Sequence, residues 1–343
     1  MQNSGKEAAM TRIRKTMLAL AGIASCLGAG LGQAQALDEV RFATNWKAQA
    51  EHGGFYQAVA DGTYEKYGLK VTILQGGPRM NGRMLMVAGK TEFYMGGNML
   101  GAFNSVREGL PAITVAAIFQ KEPQAILTHP GVAKSWDDLK SLTLLIADGN
   151  YVSSYRWMMQ AYGFTAEQRR PYTFNPAPFL VDRNVGMQGY ITSEPYLIEK
   201  TAGFKPDVWL LADYGFSSYS TTIETRPELV ENKPDLVQRF VDASIIGWYN
   251  YLHGENAKAN ALIRNDNPEM TDDKVAHAIA SMKANGILES GDALELGIGA
   301  MTDARIQDFY GKMVAAGVLE DGIDTQKTYT LHFVNHRVGM DLR

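Results

Sequence analysis

Residues 93–119, FYMGGNMLGAFNSVREGLPAITVAAIF, decide the fold class. Phe93 to Met95 reads as a short strand that runs into Gly96-Gly97-Asn98. A helix follows from Met99 to Glu108, the turn Gly109-Leu110-Pro111 ends it, and Ile113 to Phe119 is a second strand. Strand, helix, strand in that order is a βαβ unit, which predicts a parallel sheet and a right-handed crossover. A run as apolar as Ile113 to Phe119 suits a strand covered on both faces.

The same alternation extends outward. Upstream, Val40 to Thr44 is strand-like and leads into Asn45-Trp46; Gly54 to Tyr67 has helical spacing and stops at Gly68. Leu69 to Leu74 alternates like a strand and ends at Gly76-Gly77-Pro78; a helix containing Met84, Leu85 and Val87 follows and closes at Gly89. Downstream, a second series comprises a capped helix at Ser135 to Lys140, a strand at Thr143 to Ala147 and an aromatic-rich helix at Tyr151 to Tyr162. It continues with Tyr190-Ile191 as a short strand, a helix at Glu194 to Thr201, and strands at Val208 to Ala212 and Thr221 to Thr225. From Pro227 long helices dominate: Pro234 to Leu252, Glu255 to Arg264, Asp272 to Ala284 and Met301 to Ala316. Asp235, Asp272 and Asp303 sit near helix starts, where acids complement the dipole.

The N-terminus has export character. Lys6, Arg12, Arg14 and Lys15 precede an apolar run from Met17 to Leu31, and Ala34-Gln35-Ala36 offers small residues for cleavage. Residues 1–36 are therefore expected to be a signal peptide, with Met10 an alternative start. Ile23-Ala24-Ser25-Cys26 also resembles a lipobox, in which Cys26, the one cysteine, would be lipidated. Cleavage after Ala36 leaves 307 of 343 residues, enough for two lobes. It removes four basic groups and one acid, so the formal charge falls from −4 to −7, which argues against a nucleic-acid partner.

Enzymatic signatures are missing: there is no Gly-x-Ser-x-Gly elbow, no Walker loop and no His-Glu-x-x-His helix. His332 and His336 are four apart, in a segment that reads as extended, with no further ligand type nearby. Gly76-Gly77-Pro78-Arg79 and Gly96-Gly97-Asn98 lie at predicted C-terminal strand ends, where open α/β sheets bind ligands; the glycines serve either an anion nest or a sharp turn. Two aromatic clusters stand out, Tyr151 with Tyr155 and Trp157, and Tyr214 with Phe216 and Tyr219. The second occupies a polar, glycine-bearing loop, which suits a cleft better than a core. Glu194 either complements a helix start or accepts hydrogen bonds from a ligand.

Asn45-Trp46, His52 and Gly54-Phe55-Tyr56-Gln57-Ala58 resemble the periplasmic binding proteins related to the thiamine pyrimidine synthases. The resemblance continues through Gly62-x-Tyr64-x-x-x-Gly68-Leu69-x-Val71, Gly109-x-Pro111, Thr192-Ser193-Glu194-Pro195-Tyr196 and Asp213-Tyr214-Gly215, so it spans roughly Val40 to Leu252. It implies a type II periplasmic binding protein, two α/β lobes joined by two hinge strands near Gln124 to Thr128 and Tyr219 to Thr225. Lobe one would be residues 38–126 and 222–343, and lobe two residues 127–221.

By the same resemblance the chain would capture a small aromatic heterocycle of the thiamine-precursor pyrimidine type in the periplasm. It would deliver that solute, as a monomer without cofactor or metal, to an ABC transporter permease in the inner membrane. Trp46 and Tyr214 would stack on the ligand; Asn45, Asn98, Glu194 and His52 would read its edge, with Gly77, Tyr151 and Tyr219 also at the site. A flavin, sulfonate or other anion is the alternative cargo, for which Arg79, Arg156 and Arg183 are candidate contacts. The eukaryotic enzymes of the group use a lysine and a histidine where this sequence has Asn98 and Ala102, and a cysteine-rich motif that it lacks, so an enzyme is not expected.

Overall fold

The computed structural model describes residues 36–77, 80–173 and 175–343. The expected signal segment with Cys26 lies outside the described residues, as do Pro78 and Arg79. Ten strands form two five-stranded sheets. The first holds β1 (Asp38–Ala43), β2 (Leu69–Leu74), β3 (Phe93–Asn98), β4 (Ile113–Phe119) and β10 (Ser220–Thr225) in the order β2-β1-β3-β10-β4. The second holds β5 (Gln124–Thr128), β6 (Thr143–Ile146), β7 (Arg169–Pro171), β8 (Val185–Tyr190) and β9 (Asp207–Leu210) in the order β7-β6-β8-β5-β9. Each sheet with its helices is one α/β lobe.

Both sheets are mixed, which corrects the expectation of parallel sheets. The β3–helix–β4 unit is present, but β10 lies between its strands and runs antiparallel to both. In the second sheet β5 plays the same part between β8 and β9. These are the segments expected to be hinge strands. Each is also a full sheet member, and the chain crosses between sheets just before it, at 120–123 and at 215–219. The aromatic segment at Tyr151 is a π-turn, Tyr151–Tyr155, continued by the helix Arg156–Tyr162.

The helical C-terminal region covers the first sheet. Phe240, on the helix Pro234–His253, stacks on Phe93 at 4.0 Å and on Tyr64 at 5.5 Å. That helix passes the helix Gly53–Ala60 almost backbone to backbone. A Cβ at Gly247 would stand 2.3 Å from the Gly54 carbonyl oxygen, and one at Gly54 would stand 2.1 Å from the Trp248 ring. Glycine is thus required on both helices. Residues 328–330 pair with the outer edge of β4, Thr114 N–H donating to the Thr328 carbonyl and Thr330 N–H to the Thr114 carbonyl, both at 2.9 Å. A covered edge of this kind removes a template for aggregation.

Gly311 offers the contrast, being exposed within the helix Asp303–Ala315 with nothing near an added Cβ. Gly247→Leu is expected to destabilise by ~1–3 kcal/mol or more through overpacking. Gly311→Ala should stabilise by about 0.5–1 kcal/mol. Thermal or denaturant unfolding of the two variants checks both signs.

Candidate ligand-binding cleft

Four strand ends and both crossings meet where the lobes face each other. Asn45 follows β1, Asn98 ends β3, Ser220 starts β10 and Tyr190 ends β8, while Glu122 sits in the first crossing. The Asn45 amide lies near Gly97, 3.7 Å from where a Cβ there would be, so the first two loops share one wall. Asn98 caps the helix Met99–Arg107 by accepting from the Leu100 N–H at 3.1 Å. Its side chain and that of Ser220 also stand close enough to Glu122 to favour that carboxylate. The Tyr190 hydroxyl donates to Glu122 Oε1 at 3.3 Å, and Glu122 Oε2, buried, has no partner among the described residues.

Further forward, the lobes touch directly. The Thr192 hydroxyl donates to Glu51 Oε1, and the Ser281 hydroxyl donates to the Ile191 carbonyl at 3.0 Å. Tyr196 donates to Asp273 and packs on His277 at 4.9 Å. Beside these contacts is a cavity of about 220 Å3 with Trp46 and Glu51 on one side, Thr192, Ser193 and Tyr196 on the other, and Met270 on the C-terminal wall. Trp46 keeps 40% of its surface exposed and Tyr190 38%, although the Tyr190 hydroxyl reaches inward. These are two open aromatic rings, one per lobe.

Three carboxyls dominate the electrostatics. Burial pushes Glu122 up to about 7, against the hydrogen bonds that favour its charge. Burial also raises Glu51, opposed by Thr192, and Glu194, opposed by the Tyr190 backbone N–H. The Tyr190 phenol is raised first by burial and then by the nearby Glu122, Glu51 and Glu194. No lysine or arginine is among the causes that shift these three acids. Among the described residues no cluster of His, Cys, Asp and Glu has the makings of a metal site.

Several expected site residues are engaged elsewhere. Tyr214 stacks on Trp136 at 4.1 Å, and its carbonyl accepts from Tyr162, so it does not share the Trp46 cavity. Tyr219 is 1% exposed: its hydroxyl bonds Asp292 and the Thr302 N–H, and the Arg305 guanidinium lies 4.1 Å from its ring centre. The loop from Tyr214 to Tyr219 is thus packed rather than offered to a cleft. Its turn at Gly215, φ +100°, tucks the rings against Trp136, Trp157 and Phe309.

His52 is fully buried with neither ring nitrogen bonded, and burial lowers it to about 3, so it is neutral. Tyr151 stacks on Tyr155 beneath the Arg169 guanidinium. Glu194 turns back to accept from the Tyr190 N–H at 2.7 Å, which Gly189 permits by leaving room for the Glu194 stem. Gly77 has open space around it. Gly96, by contrast, faces Glu224, which Arg83 grips with two 2.8 Å bonds; this glycine makes room for an ion pair.

The match to known proteins follows the same chain segments. Residues 49–257, more than half of the chain, match the family model described as NMT1/THI5 like. The chain belongs to the NMT1/THI5-like family. No curated protein matches the sequence itself. Among solved structures, the ligand-binding component of an ABC-type import system from Staphylococcus aureus, with zinc bound, is similar at TM-score 0.62 and 11% identity. That match covers 88% of this chain and 99% of the other. The periplasmic aliphatic sulphonate binding protein SsuA from Escherichia coli gives 0.60 and 13%, covering 85% and 91%. The desulfurization enzyme DSZB gives 0.54 and 14%, covering 89% and 99%. At these identities the likeness concerns the fold, and it places this NMT1/THI5-like chain among periplasmic binding proteins in architecture.

Glu122 and Tyr190 escaped the sequence reading. Glu122 is a single loop acid whose burial comes from residues distant in sequence, and Tyr190 is a half-exposed ring whose hydroxyl reaches it. Because Glu122 binds its proton more tightly in the native state than when unfolded, its contribution to stability is complete below the ordinary carboxyl range. It is lost as pH rises from about 4.5 to about 7, by at most ~3 kcal/mol. Unfolding of the solute-free protein should therefore become easier across that interval, and Glu122→Gln should flatten the trend; an equal slope in the variant would mean the carboxyl titrates normally.

Proposed function

We propose that this chain is the solute-capturing subunit of an ABC import system, exported from the cytoplasm and closing its two lobes on a small flat heterocycle. The solute carries N–H donors or a positive charge, and a thiamine-precursor pyrimidine fits that description. The observation that carries this reading is a pair of buried carboxyls, Glu51 and Glu122, with the partly buried Glu194 near them, none of which forms an ion pair among the described residues. Buried acids without a counter-charge repel anions and are relieved by donors. Family membership and the likeness to import-system binders support the transport role.

Trp46 supplies one aromatic face. Because Tyr214 is stacked on Trp136, the lobe-two candidates for a sandwiched ring are Tyr196, which lines the cavity with Trp46, and the half-exposed Tyr190. A cavity of about 220 Å3 suits a single-ring solute. Ligand contact with both lobes would favour the closed state, since a solute shifts such an equilibrium by its differential affinity.

A sulfonate or other anion is the second reading, favoured by Lys47 and Lys274 at the cavity and by the sulphonate binder among the similar structures. Both lysines are tied to Glu269, however, through its carboxylate at 3.2 Å and its carbonyl at 2.8 Å. Arg183 bonds the Pro130 carbonyl and Arg156 lies by Gly317, both away from the cavity.

A thermal-shift screen of aminopyrimidines, flavins and sulfonates separates these readings. A ligand at about 100 times its dissociation constant adds ~2.7 kcal/mol. Aminopyrimidines should give the largest shifts, and a response confined to sulfonates would overturn the proposal. Trp46→Ala should weaken the responding ligand by about tenfold or more with little loss of fold stability, because the ring is partly exposed and stacking adds to area burial. Undiminished affinity in that variant would remove Trp46 from the site.

A further inference from the structure

We infer that Glu122, in the first crossing between the lobes, is a ligand-binding residue that selects for a cationic or N–H-donating solute through its free carboxylate oxygen. The inference rests on the proposed role of the cleft as a binder of such solutes and adds the residue at its back wall. The residue is 2% exposed. Oε1 receives the Tyr190 hydroxyl; Asn98 and Ser220 stand near the carboxylate, but the buried Oε2 accepts no formed hydrogen bond among the described residues. A buried acceptor left empty costs the protein stability, and a group that supplies its hydrogen bond recovers that cost.

The surroundings favour a donor. Tyr190 faces Glu122 from β8, with Glu51 and Glu194 acting on that phenol from beyond. Asn98 and Ser220 approach from β3 and β10 with uncharged groups. The nearest cations along the chain are committed: Lys121 pairs with Asp213 at 2.9 Å, and Arg305 donates to the Gln120 carbonyl and reaches Asp292 at 3.5 Å. Among the described residues the wall therefore offers an acceptor and negative charge, with its neighbouring basic groups Lys121 and Arg305 already paired.

Thr221, beside Ser220, has φ +48°, a conformation that β-branched residues rarely adopt and that clusters at ligand sites. Only the ionised carboxyl accepts fully, and Glu122 ionises through about pH 7. Its contribution to affinity thus grows as the solution becomes more alkaline.

The test is calorimetric titration of the wild type and Glu122→Gln with 4-amino-5-hydroxymethyl-2-methylpyrimidine, benzamidinium and ethanesulfonate. Comparing the two proteins at each pH cancels the probe's own titration. Glu122→Gln should weaken an aminopyrimidine or amidinium by about tenfold or more at about pH 8, and by less than about threefold at about pH 5.5. Tyr190→Phe, which removes the donor to Oε1, should move the midpoint of the wild-type pH dependence upward, a change that general misfolding would not produce.

A wild type that binds the aminopyrimidine with a Glu122→Gln ratio independent of pH, or equal to one, overturns the inference and leaves the proposed function standing. Binding of benzamidinium alone, with the pH-dependent loss, upholds Glu122 and overturns the pyrimidine. Binding of ethanesulfonate alone, or of none of the three, overturns both.

Discussion

The chain crosses between its sheets twice, and both crossings land where strand ends of the two lobes converge. Ser220 pairs with Asn98 on one side and Gln124 pairs with Tyr190 on the other, so the back wall is fixed by backbone registers on both sheets. Polar side chains placed there are held by those registers and cut off from water. Glu122 is consequently buried by topology rather than by its own neighbours in sequence. A carboxyl in that position must bond to the wall, remain protonated or meet a solute; among the described residues the wall offers it the Tyr190 hydroxyl at 3.3 Å and the nearby Asn98 and Ser220.

This dependence explains which features could be read from sequence. The strand Ile113–Phe119 and the helix Asp272–Ala284 have the bounds expected of them, because apolar continuity and helical spacing with an acidic start are local signals. Strand β8 was expected only at Tyr190-Ile191, since the glycines of Val185-Gly186-Met187-Gln188-Gly189 interrupt the strand pattern before it. Its glycines answer to partners far along the chain as well as near: Leu144 and the Leu127 carbonyl crowd Gly186, and the Leu127 side chain and the nearby Glu194 crowd Gly189. The antiparallel places of β5 and β10 likewise follow from how the lobes are threaded, which no local window contains.

The site divides along the same line. Trp46 and Asn45, on the first loop, were singled out from a motif; Trp46 lines the cavity and Asn45 stands beside Gly97. Tyr214 and Tyr219 looked functional because aromatics in a polar loop are hard to place in a core. Trp136, more than seventy residues upstream, and Arg305, more than eighty downstream, provide the surfaces that make them core-like. Glu122, between Lys121 and Pro123, reads as an ordinary loop charge. Only the arrival of Tyr190 and the β3 and β10 ends changes that.

Charge separates this cleft from its architecture. The fold is shared with a sulphonate binder and with a desulfurization enzyme, so the two-lobe frame by itself selects no solute. In the first sheet the Arg83 guanidinium is spent on Glu224, a bidentate pair that leaves little field beyond itself. Arg305 is held by Gln120 and Asp292 and covers the Tyr219 ring. With those cations neutralised, the field inside the cleft comes mainly from Glu51, Glu122 and Glu194. On the proposed reading an anion entering it would lose hydration and find Lys47 and Lys274 already tied to Glu269, while a donor would satisfy an acceptor that is already desolvated. If the proposed function holds, closure and selectivity have one cause: the contact that joins the lobes also removes the water that would otherwise screen the acids.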